Sequence, residues 1–148
     1  AFNVVPEQAV LAGTVRTFKA PTRDRIEQRM REVATGITQS FGLEPSFFYR
    51  RGYPPTVNHA REAAIGADVA ALVVGADKVE RDPAPVMGAE DFAFMLEAVP
   101  GSYIWMGSGD GEKAALLHSP YYDFNDEALP VGVSYWARLV ETRLARTV

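Results

Sequence analysis

Cysteine is absent from the 148 residues, and histidine occurs only twice. Without thiols there is no disulfide framework, no CxxC redox pair and no thiolate-held zinc. Long apolar runs are missing as well. The longest, Val69 to Val74, is far too short to span a bilayer. Charge of one sign is also scarce: 15 Lys+Arg stand against 19 Asp+Glu, for a net charge of −4. Scattered, weakly acidic charge gives no footprint for nucleic acid or an anionic membrane surface. No signal-peptide pattern opens the chain, so a cytoplasmic protein is expected. What is present is ordinary for one globular domain or two small ones: 47% hydrophobic and 23% charged residues. The chain opens Ala1-Phe2-Asn3-Val4-Val5-Pro6, without Met, and this start suggests a fragment or a processed product.

Periodicity divides the chain into elements of mixed α/β type. Residues 8–18 alternate as a strand would, with Val10, Ala12 and Thr14 on one face. Pro21-Thr22 announces a helix whose apolar stripe is Ile26, Met30, Val33, Ile37 and Phe41, and Gly42 is placed to stop it. Ser46 to Arg50, rich in aromatics, reads as a second strand. Two prolines in Tyr53-Pro54-Pro55-Thr56 cannot continue a strand and mark a boundary. Beyond it, Asn58 to Gly66 reads as helix, and Val69–Val74 is apolar with its type left open. Asp91–Val99 carries Phe92, Met95, Leu96 and Val99 at helical spacing, and Tyr103-Ile104-Trp105-Met106 reads as a buried strand. A last helix is expected from about Pro130 to Arg146, with Trp136, Leu139, Val140 and Leu144 facing inward.

His118 is the residue with the most chemistry. It sits in Leu117-His118-Ser119-Pro120-Tyr121-Tyr122-Asp123, a loop of the kind from which rigid scaffolds present functional groups. Its imidazole could ligate a divalent metal or carry a proton, or be a loop side chain satisfied by backbone or by Asp123. Glu90-Asp91 could support a metal-bound imidazole, or simply offset the dipole of the helix they open. Arg16 lies within the first strand, either solvated or aimed at a substrate carboxylate. His59, at a helix start, reads as a surface or capping residue. Gly107 to Gly111 lacks the GxxxxGK[ST] pattern of a phosphate cradle and reads as a flexible turn. No Gly-x-Ser-x-Gly is present, so no serine nucleophile can be assigned.

Six motifs in order change this picture. Asn3-Val4-Val5-Pro6 with Gly13-Thr14-Val15-Arg16-Thr17-Phe18 resembles the lid, or dimerisation, domain of the co-catalytic metal-dependent amidohydrolases and carboxypeptidases. The nearest branch holds the hippurate hydrolases, aminoacylases and indole-acetyl-amino-acid hydrolases. Gly52-Tyr53-Pro54-Pro55-Thr56-Val57-Asn58 resembles the return into that branch's catalytic domain. Met87-Gly88-Ala89-Glu90-Asp91-Phe92, Trp105-Met106-Gly107, Leu117-His118-Ser119-Pro120 and Phe124-Asn125-Asp126-Glu127-Ala128-Leu129-Pro130 complete it.

The resemblance implies a fold and a chemistry. Residues 1–53 would be a partial ferredoxin-like lid, strand-helix-strand, and residues 54–148 the C-terminal part of a zinc-peptidase-like α/β catalytic domain. The complete enzyme would use two divalent ions (zinc, manganese or nickel) that bridge and activate a water for attack on an amide carbonyl. His118 corresponds to the late metal ligand, Asn3 and Arg16 to lid positions that hold substrate, and Glu90 and Asp91 to supporting carboxylates. The general base and the other ligands are expected upstream, for no His-x-Asp or Glu-Glu stretch occurs here. The substrate would be an N-acyl amino acid or a small peptide. The expectation is therefore a piece of an amidohydrolase, inactive by itself and binding metal weakly at most, that forms a homodimer through residues 8–52. The alternative is a stand-alone, non-catalytic dimerisation module of the same descent.

Overall fold

The structure is a computed structural model that describes residues 3–109 and 115–144. It divides into two compact units, Ala1–Pro55 and Thr56–Val148. The first is built on helix α1, Ala20–Ser40, with Pro21 in its first turn. Proline there forfeits an N–H that the helix would leave unpaired in any case. At the other end Gly42 adopts φ 70, its N–H donating to Gln39 O (3.0 Å) while Leu43 N–H donates to Thr38 O (3.0 Å). This is a Schellman cap, and the left-handed residue it needs is the glycine marked in the sequence as the stop.

Residues 47–51 lie along α1 in the opposite direction, and side chains hold them there. The Arg31 guanidinium sits 4.7 Å from the Phe47 ring centre. Arg51 reaches both Glu27 (2.8 Å) and Asp24 (2.9 Å), one turn apart on the helix. The two strands expected in this unit do not form: residues 8–18 and 46–50 join no backbone ladder. A strand exists only if a neighbour accepts its hydrogen bonds, and in the lid topology implied by the resemblance a further strand lies between these two. None of residues 3–55 supplies it. Leu11 and Phe48 accordingly stand 99% and 86% exposed, and no described residue of this unit is buried.

The second unit contains α2 (Ala60–Val74), a short 3-10 turn at Ala76–Lys78, α3 (Phe92–Ala98) and α4 (Ala128–Arg143). The apolar run Val69–Val74 is thus the C-terminal half of a helix. α2 packs against α4, and Val69, Ala93, Leu96 and Tyr135 are the buried hydrophobic residues. Gly66 makes this contact possible, since a Cβ there would lie 3.2 Å from the Tyr135 hydroxyl and 3.3 Å from Ser102 Oγ. α4 consequently turns Tyr135 inward. Trp136, Val140 and Leu144, expected to face the core, are more than half exposed.

The segment 101–106 belongs to no ladder either, yet it alternates as a strand does. Ser102 and Ile104 face Gly66 of α2, and Met106 approaches Gly132 of α4. The intervening Tyr103 stacks its ring 5.5 Å from Phe92, and the Trp105 indole N–H reaches the Tyr103 hydroxyl. Even positions therefore face α2 and α4, and odd ones face α3. No ladder forms on this edge, because the Asn58 side chain, the His59 ring and a single His59 backbone N–H meet it in place of a paired strand. The Asn58 carboxamide accepts from Tyr103 N–H (2.7 Å) and donates to Tyr103 O (2.8 Å). His59 N–H donates to Gly101 O (3.1 Å), and His59 Nδ1 accepts from Gly101 N–H (3.2 Å). The buried strand expected at Tyr103–Met106 is therefore not formed among the described residues: the segment pairs with no backbone ladder, and Ile104, Trp105 and Met106 stay 40%, 63% and 50% exposed.

Candidate functional site

His118 is set in the first of two consecutive β-turns that share Ser119. Ser119 N–H donates to Leu116 O (3.0 Å), closing a four-residue turn with His118 as its third residue. His118 has φ 66, the one positive φ at a non-glycine position among the described residues. A positive φ at the third residue but not the second defines a type II turn, and that position favours glycine or asparagine. Tyr122 N–H then donates to Ser119 O (3.1 Å), and the Ser119 hydroxyl accepts from Tyr121 N–H (3.1 Å). Pro120 is the second residue of this turn, where its fixed φ is already right. The Ser-Pro that follows the histidine thus builds the second turn, directly after the one that holds His118.

Further contacts tie the loop to its surroundings. The Tyr122 hydroxyl donates to Ser108 Oγ (3.4 Å), next to the Trp105-Met106-Gly107 motif, and its ring meets Phe124 edge-on at 5.2 Å. Asn125 Oδ1 accepts from Glu127 N–H (3.1 Å), and Asn125 O and Asp126 O take the next two N–H groups. Pro130 has no N–H, so α4 opens with its donors satisfied. Met106, Gly107, Asn125, Glu127, Ala128 and Val131 surround an open depression of about 260 Å³. It joins two of the motifs that the sequence singled out.

No hydrogen bond or ion pair joins the described residues that were expected to act together. Asn3 and Arg16 are both exposed and lie in the first unit; His118, Glu90 and Asp91 lie in the second. The Glu90 carboxylate is engaged by the Tyr103 hydroxyl. Burial pushes that phenol up from its ordinary value, and the charge and hydrogen bond of Glu90 push the same way. The structure places no hydrogen bond between His118 and Glu90, Asp91 or Asp123. Among the described residues no three His, Asp or Glu side chains converge as a metal would require. The glycine stretch Gly107–Gly111 passes outside the described residues at Asp110. No helix among the described residues is long and apolar enough to cross a membrane.

Asn58 and His59 together hold Gly101 and Tyr103 from just ahead of α2, a structural pairing that the sequence does not mark. His59 does occupy the N-cap position of α2, as read, but its ring bonds the distant Gly101 rather than its own helix. An Asn-His pair just ahead of a helix was the only available signal.

The chain matches the model of the peptidase family M20/M25/M40 over residues 5–142. It is 36% identical over 139 residues to N-acetylcysteine deacetylase of Bacillus subtilis, covering 94% of this chain and 35% of that protein. With N-acetyldiaminopimelate deacetylase of Enterococcus faecalis the identity is 38% over 135 residues, 90% of this chain and 34% of the relative. With IAA-amino acid hydrolase ILR1-like 4 of Arabidopsis thaliana it is 31% over 150 residues, 94% and 33%. The chain spans about a third of the length of the curated relatives it matches.

Proposed function

The chain belongs to the peptidase family M20/M25/M40, and from that membership we propose that it is part of a metal-dependent amidohydrolase that cleaves the amide bond of N-acyl amino acids or small peptides. Relatives named as deacetylases of N-acetylated amino acids and as amino-acid-conjugate hydrolases support this substrate class. The family generally uses divalent metals. A metal centre needs three or four protein ligands, and the described residues do not converge to that number, so they do not fit such a centre by themselves. In the proposal His118 contributes one ligand, and the remaining ligands and the general base come from outside these residues. Asn3 and Arg16 hold the substrate from the lid, and Glu90 and Asp91 support the site through Tyr103.

The backbone of His118 is the observation that carries this reading. A left-handed φ at a residue with a side chain costs on the order of 1–3 kcal/mol and recurs at functional sites. Glycine would serve the turn better, so an imidazole there is kept for what it does. Lid residues 8–52 forming a homodimer remains part of the proposal, because Met30, Val33, Ile37 and Phe41 leave an apolar stripe of α1 between 41% and 78% exposed. The same stripe favours the second reading, a non-catalytic dimerisation module.

The test uses the product of the complete reading frame that carries these residues. His118→Ala should lower its metal content and abolish hydrolysis of hippurate and N-acetyl amino acids. The 148-residue chain alone should hydrolyse neither, with zinc, manganese or nickel added. Unchanged metal content and activity in His118→Ala would overturn the role of His118.

A further inference from the structure

The hydrogen bonds that tie the start of α2 to residues 101–103 are made by groups of fixed protonation, with one exception. The Asn58 carboxamide accepts from Tyr103 N–H at 2.7 Å and donates to Tyr103 O at 2.8 Å. The Ser102 hydroxyl donates to Glu62 O (3.2 Å), and His59 N–H donates to Gly101 O (3.1 Å). The exception is the bond from Gly101 N–H to His59 Nδ1 (3.2 Å), whose acceptor is a titratable nitrogen. A neutral imidazole accepts at one nitrogen and donates at the other, so this bond selects the tautomer with its proton on Nε2. The imidazolium donates at both nitrogens and accepts at neither. A protonated ring therefore sets Nδ1–H against Gly101 N–H, donor against donor, and turning the ring over offers a C–H instead.

Neither partner is free to step aside. Gly101 lies so close to α3 that an added Cβ would stand 3.3 Å from Leu96, one of the buried side chains. His59 is the N-cap residue of α2, and its carbonyl accepts from Ala63 N–H (2.9 Å). The partial positive charge of that helix start also opposes a charged ring. On the elements around the ring, Arg61 of α2 opposes protonation as well, while Glu62 of α2 and Glu97 of α3 favour it. Tyr103 carries a phenol that engages Glu90, and Tyr135 of α4 meets α2 two turns further on, at Gly66. None of these groups makes a hydrogen bond or ion pair with the ring, so none replaces the acceptor that protonation removes.

We propose that His59 and Gly101 form a pH-operated latch, closed while the imidazole is neutral and opened by acid. Opening frees the Gly101 end of the 101–106 segment, while Asn58 keeps its hold on Tyr103. The direction follows from proton counting: the open state binds one proton more than the closed one, so falling pH favours it. The latch stands independently of the proposed amide hydrolysis.

NMR of the isotope-labelled product of the complete reading frame tests this. At the alkaline end of the titration Nδ1 of His59 should be the ring nitrogen without a proton, and the Gly101 amide should be protected from exchange. Between about pH 8 and pH 5, where imidazoles titrate, the protection of Gly101, taken against the unstructured rate at the same pH, should fall about tenfold in step with His59 protonation. The Tyr103 amide, held by a carboxamide that does not titrate, should keep its protection. His59→Asn places an acceptor oxygen close to the position of Nδ1 and should leave Gly101 protected at every pH in that range. A neutral ring that carries its proton on Nδ1 would overturn the latch. So would protection of Gly101 that is flat across the range, equal losses at Gly101 and Tyr103, or a pH dependence that survives in His59→Asn. The wild-type profile decides the matter even where His59→Asn does not fold.

Discussion

A methyl group added at Gly66 sets two effects of similar size against each other. Gly66 lies inside α2, and replacing an interior helical glycine by alanine ordinarily stabilises by about 1 kcal/mol. Here the new Cβ would meet the Tyr135 hydroxyl at 3.2 Å and Ser102 Oγ at 3.3 Å, so both must give way by a few tenths of an ångström. Overpacking of this kind costs about 1–3 kcal/mol, so Gly66→Ala should be destabilising by roughly 0.5–1 kcal/mol. The nearest obstacle is a single oxygen. Tyr135→Phe removes it, and Ser102 Oγ ends a short side chain that can rotate away. In the Tyr135→Phe background Gly66→Ala should therefore turn stabilising, with a coupling of about 1–1.5 kcal/mol between the sites. Urea unfolding of the four variants, followed by helical circular dichroism, measures the cycle. If Gly66→Ala gained its full helical preference with Tyr135 intact, or had the same effect in both backgrounds, the close approach of α2 and α4 at this point would be refuted.

Two further outcomes follow from the loop and from the strand. His118→Gly should raise the urea midpoint, by up to about 1 kcal/mol in stability, because the left-handed position loses its Cβ, and His118→Val should lower it; the reverse order would exclude the type II turn. Tyr103 has a folded-state phenol raised above its ordinary value of 10.0, by burial first and then by Glu90. A group raised in this way contributes its full stability below pH 10 and loses it as pH climbs through the folded value. Alkaline unfolding should thus begin above pH 10 and be shifted in Tyr103→Phe, as followed by circular dichroism across that range.

Helices were legible in the sequence because their determinants are local. The 3.6-residue stripe of α1, its proline start and its Gly42 stop are each contained within a few residues, and the structure places the element at Ala20–Ser40. The strands were not, for the opposite reason. Val10, Leu11 and Phe48 alternate suitably, but pairing requires a segment that residues 3–55 do not contain. Residues 101–106 fall between the cases: their alternation is expressed against the helices, while Asn58 and His59 take the place of a neighbour. The inward face of α4 was misjudged because apolarity alone favoured Trp136, whereas Gly66 opens space for Tyr135. His118 was found by its chemistry and its Ser-Pro sequel, and its unusual backbone only emerged in three dimensions.

The contact between Gly66 and Tyr135 also has a bearing on synthesis. Its two sides are separated by almost half of the chain, so α2 must wait on the ribosome until α4 has been made before its glycine face is covered. Until then the face of α2 around Gly66 has no α4 to pack against, and its apolar surface stays uncovered while the intervening residues are made.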